Sequence, residues 1–144
     1  MMSAALTLVG LLALASGKPQ KAVKITANDM ELDHTSVSHI IQVRNAKHSG
    51  IIVAVEIGRS PGLENRPVRV TPPKGWEMKV VETTQAGGDV RAYLHFSCPP
   101  GSSGACIGPG ESRSFIVVMQ YRSASLYGPV VAVFANGDRL VVEP

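Results

Sequence analysis

Between Val90 and Phe96 the residues Val90, Ala92, Leu94 and Phe96 alternate with Arg91, Tyr93 and His95. That is the period of a β-strand with one face buried and the other wet. The pattern recurs along the chain. Phe115, Val117, Met119 and Tyr121 mark one face of a segment beginning at Ser114, while Ile116 and Val118 make its second face partly apolar, as expected of a strand with neighbours on both sides. Ile51, Val53, Val55 and Ile57 form a third set, and His39, Ile41 and Val43 a fourth, both rich in β-branched residues that fit a pleated surface. Helical spacing is absent as a sustained pattern, so the chain is confined to the all-β class.

Turn residues separate these runs at Ser49-Gly50, Ser60-Pro61-Gly62, Pro72-Pro73, Gly87-Gly88 and Gly108-Pro109-Gly110. Near the end, Val130–Phe134 and Leu140–Val142 flank Asn136-Gly137, a pair that tolerates positive φ and predicts a C-terminal hairpin. Adding Val23–Ala27, Val68–Thr71 and Trp76–Glu82 brings the expectation to seven to nine strands. A chain of this size with that many strands packs two antiparallel sheets face to face or closes into a barrel, and the sandwich is the expected form.

Met1–Gly17 contains an apolar run from Ala4 to Ala15 followed by small residues, the pattern of a signal peptide cut before Ser16 or before Lys18. The run is too short for a bilayer span, which needs about twenty residues, and no second such run follows. The expected organisation is a signal peptide over 1–17 and a single β-sandwich domain over 18–144. The mature chain is expected to be exported to the periplasm or the medium, without a transmembrane segment. All 14 Lys and Arg lie at or beyond Lys18, so the formal charge of +3 belongs to the mature part. Only Lys18, Lys21 and Lys24 cluster. That group reads as a solvated domain start or as a basic arm for an anionic lipid or glycan. No recognition-helix signal or aromatic-studded basic stripe points to nucleic acid.

Cys98 and Cys106 are the only cysteines and bracket a segment of Pro, Gly, Ser and Ala. In an oxidising compartment they are expected to close a disulfide that clips this loop rather than joining the sheets. Their spacing is not the Cys-x-x-Cys of a redox pair, and two cysteines are too few for a zinc site. Asp29, Glu31 and Asp33 alternate as at the start of a Ca²⁺ loop, but His34 stands where the turn glycine belongs and Ile40 where the bidentate Glu belongs. Asp33, His34, His39 and His95 are the residues a metal site would draw on. His39 shares a strand face with Ile41 and Val43 and fits a hydrogen-bonded, partly buried residue. Arg91, Tyr93 and His95 share a polar strand face and form the candidate binding surface. No Gly-x-Ser-x-Gly elbow or other catalytic constellation is present. Trp76, followed by Met78 and Val80 on the same side, is expected in the core.

The segments Val43-Arg44-Asn45, Pro72-Pro73-Lys74-Gly75-Trp76 and Pro109-Gly110-Glu111-Ser112, the last leading into Ser114-Phe115-Ile116-Val117, resemble the landmarks of bacterial immunoglobulin-like accessory domains. The resemblance covers about Val37 to Tyr121 and implies an immunoglobulin-like sandwich that binds, spaces or scaffolds, with no catalytic residues to carry over. The Gly-Trp after a Pro-containing strand and the later Pro-Gly-Glu turn are also similar to YcnI-like copper-binding exported domains. That family's ligand is a histidine at the mature N-terminus, and here no His precedes His34. The expected role is an exported, non-catalytic binding or scaffold module for a protein or glycan of the cell envelope, needing no cofactor. The alternative is a periplasmic protein that binds copper or zinc.

Overall fold

The computed structural model describes residues 23–31, 36–59, 67–120 and 129–142. The segments holding the expected signal peptide and the candidate ligands Asp33 and His34 lie outside them. Nine strands are present among the described residues: β1 (Val23–Glu31), β2 (Ser36–Asn45), β3 (Ile52–Gly58), β4 (Arg69–Thr71), β5 (Glu77–Thr84), β6 (Val90–Ser97), β7 (Ser112–Gln120), β8 (Val130–Phe134) and β9 (Arg139–Val142). They form a four-stranded sheet in the order β1-β2-β7-β4 and a five-stranded sheet in the order β5-β6-β3-β8-β9. Every pairing is antiparallel. The all-β sandwich expected from the alternation is the fold observed, and the only helical turn described is a 3-10 turn at Ser103–Ala105.

The core lies between the sheets and is built from the strand faces that alternation picks out. On β6, Ala92, Leu94 and Phe96 are buried; on β7, Phe115, Val117 and Met119; on β2, His39, Ile41 and Val43. Rings cross the gap edge to face. Phe96 of the five-stranded sheet meets Phe115 of the four-stranded sheet at 4.9 Å between centroids, and Trp76 meets the same Phe115 at 5.3 Å. Trp76 is in the core, as expected, and its Nε1 donates to the Ala105 carbonyl at 2.7 Å, so its one polar atom is satisfied. Strand β7 has neighbours on both sides, β2 and β4, which accounts for the apolar residues on its second face.

Two details differ from the sequence reading, and the disulfide forms as expected. Val90 opens β6 and is 42% exposed, because the core has ended where the strand begins. The β3 set is also shifted. Ile52 is fully buried while Ile51 and Val53 are half-buried, since the register slips between Ile52 and Ala54 and changes which parity faces inward. The disulfide Cys98–Cys106 is formed, with Cα atoms 5.3 Å apart. The loop it closes is itself the crossover from β6 in one sheet to β7 in the other, so the clip fixes a connection between sheets rather than a free excursion. Ile107, just past Cys106, exchanges both backbone hydrogen bonds with Ile52 at 3.0 and 3.1 Å.

The C-terminal hairpin forms as the Asn-Gly pair predicts. Gly137 has φ of 96° and donates to the Phe134 carbonyl at 2.9 Å, while Asp138 N–H is held by Asn136 Oδ1 at 2.9 Å. The glycine supplies the left-handed position that a side chain would resist. This turn carries Arg139 back onto the sheet beside β8, one strand removed from β3.

A candidate binding face on the five-stranded sheet

The side of β6 that does not face the core presents Arg91, Tyr93 and His95, the three residues singled out from alternation. Antiparallel register then determines what stands beside them. His95 is opposite Glu56 on β3 and opposite Lys79 on β5, while Tyr93 is opposite Gly58 and Val81. Directly opposed residues share a face, so this outward surface continues over Val131 of β8, across from Glu56, and Val141 of β9. Gly58 contributes no side chain beside Tyr93, whose ring is half-buried. The Arg91 guanidinium carbon lies 5.0 Å from the centre of that ring, within cation–π range.

Glu56 is the centre of the face. It points away from the core yet is only 5% exposed, because its neighbours lie across it. His95 Nδ1 is 3.0 Å from Oε2, and the Arg139 guanidinium donates to Oε1. Three strands, β6, β3 and β9, therefore each supply one member of a His–Glu–Arg cluster. A carboxylate taken out of water needs such partners, and both its oxygens have one. Glu56 and Arg139 were not among the residues identified from sequence. A single charged residue inside the apolar run Ile51–Ile57 was the available signal for Glu56; Arg139, 83 positions away, had none.

The metal candidates separate. His39 is 8% exposed on the core side of the four-stranded sheet, whereas His95 stands on the outward side of the five-stranded sheet, so the two do not share a site. Among the described residues no three His, Cys, Asp or Glu side chains converge as metal ligands would. Asp33 and His34 lie outside the described residues.

No protein-family model matches the sequence, and no curated protein does. Solved structures share its architecture. An uncharacterized protein of Nocardia farcinica with an immunoglobulin-like fold superposes with a TM-score of 0.50 at 14% identity, covering 81% of each chain. A carbohydrate-binding module (CBM) of Ruminiclostridium thermocellum gives 0.54 at 9% identity, covering 84% of this chain and 97% of that one. The CBM3b module of the major scaffoldin subunit of Acetivibrio cellulolyticus gives 0.51 at 15% identity, covering 88% and 99%. At these identities the likeness is one of fold, and the fold class is an immunoglobulin-like β-sandwich.

Proposed function

We infer that this chain is an exported, single-domain, non-catalytic binding module, and that its ligand is a glycan of the cell envelope held on the outward face of the five-stranded sheet. The observation carrying this reading is the buried Glu56. An ordinary solvated sheet face has no need of a carboxylate locked at its centre by groups from strands on either side of its own, whereas a rigid polar platform for ligand hydroxyls does. Tyr93 beside it offers an apolar ring with a polar tip, the combination that suits the mixed faces of a sugar. The carbohydrate-binding modules named above support the glycan class through their shared fold. The bridged Cys98–Cys106 pair and the apolar Met1–Gly17 segment support export.

The test is retention of the purified chain on insoluble polysaccharides and isolated cell-wall material, alongside Tyr93→Ala and Glu56→Gln variants and an assay for released sugar. Binding by the parent chain, loss of binding by folded Tyr93→Ala and no release of sugar are the expected results. Equal retention of Tyr93→Ala, or turnover of the polysaccharide, overturns the reading.

A further inference from the structure

The opposite side of the molecule carries a second surface of different character. On the outward side of the four-stranded sheet, Lys24 of β1 stands directly across from Arg44 of β2, and Arg44 directly across from Ser112 of β7. Both cations are exposed. The next step across leads to a shallow depression of about 560 Å³ whose lining includes Lys74, Arg113, Ser112 and Ser114. The result is a transverse row of cations, Lys24, Arg44 and Lys74, interleaved with serine hydroxyls. At about 4.8 Å per strand it spans roughly 15 Å, several sugar units of an extended chain.

Charge along this row is poorly compensated. The positions of β1, β2, β7 and β4 that share the outward side with Lys24 and Arg44 contain no Asp or Glu. Glu111, just before β7, is engaged with Arg113 at 3.4 Å. Arg113 is also fixed in place by donating to the carbonyls of Gly104 and Cys106 at 3.2 and 3.0 Å, which holds its guanidinium at the depression instead of letting it swing free.

We propose that this row is a docking surface for an anionic polysaccharide, one bearing regularly spaced carboxylate, sulfate or phosphate groups. Charge complementarity sets the sign of the partner. The residues between and beside the cations select its kind. Thr26, Gln42, Ser112 and Ser114 are hydroxyl and amide groups that match sugar hydroxyls, and no aromatic ring stands among them to stack a nucleic-acid base. Large apolar anchors of the sort that enter a lipid surface are likewise absent beside these cations; Met30, exposed on the same sheet, lies at the other end of β1.

The experiment is binding of the full chain to immobilised heparin and to polygalacturonate, as sulfate- and carboxylate-bearing probes, and to anionic phospholipid vesicles. It compares the parent with Lys24→Ala/Arg44→Ala/Lys74→Ala and with Arg69→Glu, which lowers the net charge by two at the far end of the same sheet, across from Val118. The expected result is polysaccharide binding that weakens as salt rises from about 0.1 M to about 0.5 M. The triple variant should bind about tenfold or more weakly, and the second variant should stay within about threefold of the parent. No binding to either polysaccharide overturns the proposal, as does equal loss in both variants, which would reduce the effect to net charge. Vesicle binding without polysaccharide binding overturns it in favour of a membrane surface.

Discussion

Glu56 and Arg139, 83 residues apart in sequence, meet on the outward face of the five-stranded sheet, where the half-exposed guanidinium covers a buried carboxylate. The pair is asymmetric. Removing the arginine strands Glu56 with His95 alone at 3.0 Å, whereas removing the glutamate returns Arg139 to water. Arg139→Ala is therefore expected to cost about 1–3 kcal/mol, well above the about 0–1 kcal/mol of an exposed pair. Glu56→Gln, which keeps the shape without the charge, should cost less than Arg139→Ala. Urea unfolding of both singles and the double checks this, and equal effects for the two singles would show that the pair behaves as an ordinary surface bridge.

Trp76 links the core to the crossover loop through two different interactions, ring packing on Phe115 and the hydrogen bond to Ala105. Trp76→Phe keeps most of the first and loses the second, for an expected cost of about 1–2 kcal/mol. Trp76→Ala loses both and opens a cavity, at about 3–5 kcal/mol. Thermal melts of the two variants separate the contributions.

The Cys98–Cys106 bridge closes a short loop, for which loop-closure entropy alone gives about 2.6 kcal/mol. The Trp76, Ile107 and Arg113 hydrogen bonds hold the same segment independently. The double Cys98→Ala/Cys106→Ala variant is thus expected to fold, with its unfolding free energy lowered by no more than this amount and with near-ultraviolet circular dichroism of Trp76 retained. Loss of that signal in an otherwise folded protein would mean that the bridge, and not the hydrogen bonds, positions the loop.

Asn45 closes the same end of the sandwich. It is 1% exposed, and its Nδ2 donates to the Gly50 carbonyl at 2.7 Å and the Ile107 carbonyl at 3.0 Å. Asn45→Ala removes two bonds, one of them to the buried Ile107 carbonyl, at about 2–3 kcal/mol. Asn45→Asp is expected to be worse at neutral pH than Asn45→Ala despite its shape, because a carboxylate would face two carbonyl oxygens in a dry site. Its stability should recover toward acid pH, where a protonated carboxyl can donate one of the bonds. Unfolding at two pH values decides it.

How much of this was legible from sequence depends on the range of the information. Alternation is local, so Leu94 and Phe96 could be assigned to the core and Tyr93 and His95 to the opposite side without knowing any partner strand. Asn136-Gly137 is equally local. The β3 parity failed because a slip at Val53 leaves no mark on a run of Ile and Val that is apolar on both parities. The face itself was half legible: β6 announced Arg91, Tyr93 and His95, but Glu56 and Arg139 join them only through strand order, which short-range pattern does not encode. That His39 and His95 stand apart was hidden for the same reason, since they look alike in sequence and differ in which sheet and which side they occupy.

Tyr93 gives the sharpest test of the binding face because its contribution to folding is small. The ring is half-buried on the outward side, across from a glycine, and takes no part in the Trp76–Phe115–Phe96 stack. Tyr93→Ala should therefore leave the melting midpoint within a few degrees of the parent while weakening retention on the bound polysaccharide about tenfold or more, the scale of a central aromatic contact. Tyr93→Phe keeps the ring and removes the hydroxyl, so retained binding assigns the effect to stacking and lost binding assigns it to a hydrogen bond. Isothermal titration with a soluble oligosaccharide of the retained polymer reads both variants. If Tyr93→Ala binds as the parent does, the outward face of the five-stranded sheet is not where the ligand sits.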